Sequence, residues 1–167
     1  GVFKFSRDLI PELYKSGSVV RPSDFDNDGD MDLFIGSRMI PWNYPEPASS
    51  YLLENINGKF YQYNDTNDSL TEIGLVTDAT WSDYDNDGDD DLFIVGEWMP
   101  LTLIKNDNGS FKKEKLNDSC DDVYGWWYSI ESGDFNNDGQ DDLVLGNLGE
   151  NYKYKANKDE PFEVFYD

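Results

Sequence analysis

The sequence predicts an all-β chain of about three four-stranded antiparallel units, arranged as blades of a β-propeller and forming part of a larger ring. Three observations predict it. A nine-residue acidic loop occurs three times, at 24–32, 83–91 and 134–142. Each loop runs into an apolar stretch that ends in glycine: Leu33-Phe34-Ile35-Gly36, Leu92-Phe93-Ile94-Val95-Gly96 and Leu143-Val144-Leu145-Gly146. The first aspartates, Asp24, Asp83 and Asp134, are spaced by 59 and 51 residues. A period of about 50 residues with four strands per period is the pattern of propeller blades. β-Helices repeat at shorter intervals, and sandwiches need no repeat.

Taken in order, residues 1–6 alternate weakly through Val2, Phe3 and Phe5, which is compatible with a short outer strand. Residues 7–18 carry Leu9, Ile10, Leu13 and Tyr14, but Pro11 and Gly17 favour a loop or one helical turn over a long helix. Lead-in strands are expected at 18–23, 77–82 and 128–133, ahead of the three loops. Second strands are expected at 31–37, 90–97 and 141–147. Their nearly continuous apolar runs point to burial on both faces. In the first unit Pro41, Pro45 and Pro47 impose a rigid irregular insertion, and Trp98-Met99-Pro100 is its shorter counterpart in the second. Third strands follow at 50–55 and 101–106. Asn57-Gly58 and Asn108-Gly109 then predict tight hairpin turns into fourth strands at 59–63 and 110–115. The third unit offers 152–156 and 162–166. Gly74 and Gly125 each precede their loop's first aspartate by nine residues, so the repeat includes the lead-in strand. One repeat region over 1–167 results, with units of approximately 17–70, 71–121 and 122–167.

The loops carry the chemistry. Oxygen-bearing side chains stand at positions 1, 3, 5 and 9, and glycine at position 6 allows a sharp turn. Hard cations such as calcium take six to eight oxygens, and this spacing supplies them. Loop one offers the side chains of Asp24, Asp26, Asp28 and Asp32 and the carbonyl of Asp30. Loop two offers Asp83, Asp85, Asp87 and Asp91 with the carbonyl of Asp89. Loop three offers Asp134, Asn136, Asp138 and Asp142 with the carbonyl of Gln140. Helix–loop–helix calcium loops close with a glutamate at position 12. Here that position is Ile35, Ile94 or Leu145, so the position-9 carboxylate must close the site. About three calcium ions are expected. Magnesium prefers to keep its waters and suits such a loop less. An acidic solvated turn is the plainer alternative, but four carboxylates in nine residues repel unless a cation joins them. Loop three has one carboxylate fewer and is expected to bind most weakly.

The formal charge is −22, from 35 acidic and 13 basic residues. Three divalent ions offset six of those charges and leave −16, so the loops explain part of the acidity. Nucleic acid is excluded as a partner, because phosphate binding needs clustered lysine and arginine. Histidine is absent, which removes the usual general base and any histidine-assisted nucleophile. Cys120 is alone and rules out an internal disulfide. No apolar run is long enough to form a transmembrane helix. The opening glycine is what a processed product, or a piece of a longer protein, would show.

The run Asp-x-Asp-x-Asp-Gly-x-x-Asp, followed by an apolar strand and glycine, resembles the FG-GAP or VCBS repeat. That repeat builds the calcium-bearing blades of integrin α-subunit propellers and of many bacterial surface proteins. The likeness covers roughly 17–166. Gly96-Glu97-Trp98-Met99-Pro100, Gly125-Trp126-Trp127 and Gly146-Asn147-Leu148-Gly149 look like a narrower bacterial group, similar to the cartilage acidic protein family that often carries an ASPIC/UnbV domain. The resemblance implies a secreted, periplasmic or outer-membrane-associated surface location, and supplies a fold and a location more than an activity. The three structural loops and the lack of histidine favour a calcium-stabilised, non-enzymatic module for adhesion or protein recognition. Closed propellers have four to eight blades. Three units therefore imply missing neighbouring blades or self-association. Two other functions stay open. Trp42, Tyr44, Trp98, Trp126 and Trp127 would suit sugar rings, although packing between blades is the plainer reading. Glu46, Glu97 and Glu131 are the best acids for a polysaccharide-active enzyme using paired carboxylates. The protein or glycan ligand is not specified by the sequence.

Overall fold

The computed structural model describes residues 5–6, 8–64, 66, 68–116 and 123–149. Among these it holds ten β-strands and no α-helix, hence no helix long and apolar enough to cross a membrane. Strands β1 (Ser16–Ser23), β2 (Asp32–Met39), β3 (Tyr51–Ile56) and β4 (Lys59–Gln62) form an antiparallel sheet in that order. Strands β5 (Leu75–Ser82), β6 (Asp91–Met99), β7 (Thr102–Asp107) and β8 (Ser110–Glu114) repeat this meander. Strands β9 (Gly125–Gly133) and β10 (Asp142–Asn147) pair with each other and make a six-stranded sheet with the second meander. The link is short: the end of β6 meets the start of β9 at Glu97↔Trp126 and Met99↔Gly125. The all-β class and the meanders agree with propeller blades.

Register is the same in each lead-in hairpin. Ser23↔Asp32, Ser82↔Asp91 and Gly133↔Asp142 close the ladders at the mouths of the three acidic loops. The Asn-Gly turns form as expected. Asn57 and Gly58 have φ of 55° and 83°, and Asn108 and Gly109 have 50° and 86°. Paired positive φ values match the right-handed twist of the strands they join, and these two residue types tolerate them.

Strand β6 shows why its sequence is nearly all apolar. Side chains alternate across a strand. Leu92 and Ile94 enter a cluster with Phe25, Phe34, Leu52, Val76, Ala79, Ile104 and Phe111. Phe93 and Val95 enter a second one, with Leu103 and Ile130. Both faces are covered, and each such side chain contributes roughly 1.5–3 kcal/mol of burial. The other second strands differ. In β2 only Phe34 is fully enclosed among the large apolar side chains, and β10 has none buried, with Val144 56% exposed. The expectation of two covered faces therefore holds for β6 alone. Only the middle unit has a described unit on either side.

Polar ties cross between units. Arg21 Nε donates to Ala79 O at 2.7 Å, and its terminal nitrogen pairs with Asp78 Oδ1 at 2.6 Å. The other Asp78 oxygen accepts from Ile130 N at 3.1 Å, so this one carboxylate contacts all three units. Ser18 Oγ donates to Val76 O at 2.6 Å and Thr77 Oγ1 to Trp127 O at 2.8 Å, which is the same contact one unit apart.

Two local expectations change. Trp98 and Met99 extend β6 instead of forming a connector, with Trp98 at φ 60°. Phe5 and Ser6 are not in a strand. Strands expected at 152–156 and 162–166, and Cys120, lie outside the described residues, as do residues 1–4.

Candidate metal centre

Each acidic loop is held by the same backbone-to-carboxylate bonds. The position-1 aspartate accepts two amides. Asp28 N and Gly29 N donate to Asp24 at 3.0 Å each. Asp87 N and Gly88 N donate to Asp83 at 3.0 and 3.1 Å, and Asp138 N and Gly139 N to Asp134 at 3.0 and 2.9 Å. The position-5 aspartate accepts the position-7 amide: Asp30 N to Asp28, Asp89 N to Asp87, and Gln140 N to Asp138. The position-9 aspartate accepts the position-2 amide, from Phe25, Tyr84 or Phe135. Three segments of different composition thus share one framework.

Two residues per loop make that framework possible. The position-6 glycines have φ of 97°, 96° and 88°. The position-4 asparagines, Asn27, Asn86 and Asn137, have φ of 60°, 59° and 61°. A non-glycine residue rarely adopts this region, and asparagine is among the few that do. Sequence reasoning picked out the glycines and missed the asparagines. Their recurrence in all three loops was the available signal.

The carboxylates converge. One oxygen from each of Asp24, Asp26 and Asp28 lies within 4.8 Å of the other two, close enough to share a cation. In loop two the converging trio is Asp83, Asp85 and Asp91. Among the described residues loop three forms no acidic trio. There the neutral Asn136 turns its amide nitrogen toward Asp142 Oδ1, at 3.4 Å. Of the remaining expected ligands, Asp32 is outside the first trio. Its Oδ1 accepts Asn55 N at 2.8 Å while Oδ2 caps Phe25. Asp87 accepts Asp89 N and sits 3.5 Å from Lys105 Nζ. The Asp89 side chain is engaged elsewhere: Oδ2 accepts Asn108 N and Oδ1 accepts Asn27 Nδ2, both at 2.8 Å. The donor set is all oxygen and preorganised by its own amides, so the residues fit a hard divalent cation.

Sequence reasoning also missed Lys105. It stands on β7 and forms ion pairs with Asp85 and Asp87. Its hydrogen bond holds the Asp85 carboxyl below the usual carboxylate range, and the two aspartates push the ammonium up. The corresponding strand position in unit one is Glu54, since Leu33↔Leu53 and Leu92↔Ile104 are equivalent pairs. Loops one and two therefore differ by a cation beside the second.

The position-9 aspartates of these loops are buried, Asp32 at 1% and Asp91 at 0% exposure. Desolvation pushes each carboxyl up to about 6, against partial relief from the amides of Asn55 and Asn106. A carboxyl whose folded pKa exceeds its unfolded value makes the fold bind extra protons. Its contribution is most favourable below about 4 and is lost as pH rises through 6. Metal-free protein is therefore expected to gain stability when pH drops from 7 to 5, by roughly 1 kcal/mol per group. With a bound cation the trend reverses, because protons compete for the ligands. Thermal melts at both pH values, with and without chelator, check this. A metal-free melt that falls on acidification contradicts it.

At the other end of the β2 and β6 strands lies a polar–aromatic cluster. Glu97, 1% exposed, pairs with Arg38 and accepts Tyr44 Oη at 3.1 Å. Trp98 Nε1 donates to Tyr44 Oη at 2.9 Å, and the Trp98 and Trp126 rings are 5.2 Å apart. Trp42 is 100% exposed, whereas Trp127 packs against the second core cluster. The acids considered for catalysis are engaged separately. Glu97 is held as above, Glu46 accepts from Asn43 at 2.9 Å, and Glu131 lies 3.9 Å from Arg21.

A search of curated proteins finds no match. A family model described as an FG-GAP-like repeat matches residues 24–94 and, overlapping these, 83–145. The first match runs from loop one into β6, and the second from loop two into β10. Together they take in all three acidic loops and the strands that follow them, and the chain belongs to the FG-GAP-like repeat family.

Proposed function

We propose that this chain is a calcium-binding, non-enzymatic recognition module of a secreted or cell-surface protein, built from repeats at 17–70, 71–121 and 122–167. The observation that supports it best is the thrice-repeated loop framework, with carboxylates gathered within 4.8 Å in two of the three loops. The ligands are those the spacing predicts: Asp24, Asp26, Asp28 and Asp32 with the Asp30 carbonyl; Asp83, Asp85, Asp87 and Asp91 with the Asp89 carbonyl; and Asp134, Asn136, Asp138 and Asp142 with the Gln140 carbonyl. Calcium suits them better than magnesium because crowded protein oxygens replace its waters readily. The ion pins each hairpin at its mouth and presents the strand ends as a rigid surface.

The sites are expected to be unequal, and titration calorimetry on single-site variants tests both the function and the ranking. Loop three fills last, and Asn136→Asp tightens it by about tenfold, the 1.4 kcal/mol scale of one added charge at short range. Loop one fills first, since Lys105 competes at loop two. Lys105→Met is expected to tighten loop two by up to about fivefold, the ~1 kcal/mol scale of a partly exposed ion pair. Absence of calcium binding by wild-type protein sinks the reading. Loss of the tightest site in Asp138→Ala overturns the charge ranking.

A glycan-binding role is the second reading, favoured by the fully exposed Trp42, two residues along the chain from Tyr44, whose hydroxyl is held by Glu97 and Trp98. Flat aromatic faces held by polar partners suit sugar rings. Trp42→Ala should then abolish binding on a glycan array while leaving the melt unchanged. No binding by the wild type rejects this role.

A further inference from the structure

Adjacent units touch at their acidic loops, and one of these contacts occurs at both junctions. The serine just before a loop donates to the aspartate at position 8 of the next loop. Ser23 Oγ reaches Asp90 Oδ2 at 2.6 Å, and Ser82 Oγ reaches Asp141 Oδ2 at 2.8 Å. Asn27, at position 4 of loop one, donates to Asp89 Oδ1, at position 7 of loop two, at 2.8 Å. Phe25, at position 2, is 0% exposed where units one and two meet.

The outward faces of units one and three carry the matching halves. Unit three has Gly133 where units one and two have the donor serine. Unit one has Met31 where units two and three have the acceptor aspartate, and Met31 is 60% exposed. Donor and acceptor are thus lost together, one from each open face. The second contact is only half made. Asp30 Oδ1 is buried without a hydrogen-bond partner, although its counterpart Asp89 Oδ1 takes Asn27. Asn137 is exposed on unit three with φ 61°, the conformation Asn27 has at 60°. Phe135 is 59% exposed at the position that Phe25 buries.

We propose that the open face of unit three docks onto the open face of unit one in a second copy of this chain, head to tail. Gly133 lies against Met31, Asn137 donates to Asp30, and Phe135 fills the place that Phe25 fills inside the chain. The joint loss of serine and aspartate follows from desolvation. A buried carboxylate deprived of its donor is costly, whereas replacing both partners with apolar groups is nearly neutral. Such a contact joins unlike faces, so it either closes a ring or continues as a filament. Two copies of this stretch supply six units, within the four to eight of closed propellers, and the proposed contact closes as this two-copy ring and does not run on as a filament. The inference rests on the three-repeat reading and is independent of which cation the loops hold.

Sedimentation velocity in saturating calcium and moderate salt tests it, the salt screening a charge of −22 per copy. The expected result is a species of 19.2 kDa that gives way to one of twice that mass as concentration rises. Met31→Asp should weaken association by at least tenfold. Gly133→Ser in the same chain should restore it by recreating the serine–aspartate pair found twice within the chain. Both changes suit the fold. Loops two and three already carry aspartate at that position, and a Cβ at Gly133 meets nothing closer than a Phe135 ring carbon at 3.6 Å. Asn137→Asp, on an exposed loop, should also weaken association by setting two carboxylates face to face. Circular dichroism and calcium stoichiometry on the same samples keep a lost fold or an empty loop distinct from lost docking. A single 19.2 kDa species at every concentration, an open-ended series of larger species, or a double variant as weak as Met31→Asp overturns the proposal.

Discussion

Chelation with EDTA lowers the melting temperature by roughly 5–10 °C for each site emptied, and calcium restores it more fully than magnesium. The size follows from mass action. A ligand that binds only the folded state adds about 2.7 kcal/mol when its free concentration is a hundredfold above Kd. For a chain of this length one kcal/mol moves the melt by ~2–4 °C. The structure adds a second reason. Without a cation, Asp24, Asp26 and Asp28 are left with oxygens inside 4.8 Å of one another, and the strand position that Lys105 holds beside loop two is Glu54 in unit one. Unit one should therefore suffer most on chelation and unit three least. Differential scanning calorimetry of chelated, calcium-loaded and magnesium-loaded protein measures the effect. An unchanged melt in protein shown metal-free by elemental analysis removes the cation from the account of stability.

Much of this architecture was legible because its signals are local. The loop spacing, the glycine at position 6, the Asn-Gly turns and the apolar runs each fix a few neighbouring residues, and ten strands fell close to where those signals put them. The contacts between units were not legible, since they pair residues about sixty positions apart in the sequence. Nothing near Arg21 in sequence announces its carbonyl and carboxylate partners on β5. Lys105 gave no hint of loop two, because its approach depends on how β7 lies beside β6. Glu97 was one of three candidate acids, with nothing in the sequence to show that the structure would enclose it with Arg38 and Tyr44. The aromatics divided in a way that composition does not reveal. Trp127 joined the core, Trp98 and Trp126 met each other, and Trp42 stayed in solvent. Burial of the second strands depended on neighbours as well, which is why β6 and β10 differ despite similar apolar runs.

Phe25→Ala should be among the most damaging single substitutions in the chain, costing about 3–5 kcal/mol, the range for truncating a buried phenylalanine. The ring sits where units one and two meet. It stacks on Trp81 at 6.2 Å, and meets Phe111 edge-on at 5.3 Å and Tyr63 at 5.0 Å. Its backbone is engaged as well, the amide donating to Asp32 and the carbonyl accepting Asn106 Nδ2 at 2.8 Å. Alanine keeps those backbone bonds, so the loss isolates the side chain and the cavity it leaves. Tyr84 occupies the same loop position in unit two but is 48% exposed, and Tyr84→Ala should cost less. Phe135→Ala, at 59% exposure, should leave the dilute protein within about 0.5 kcal/mol of wild type. Urea unfolding at low protein concentration, with calcium held in excess for all three variants, ranks them. If Phe25→Ala unfolds within about 1 kcal/mol of wild type, units one and two are not locked through this ring. The polar ties from Arg21 and Ser23 would then hold the interface instead.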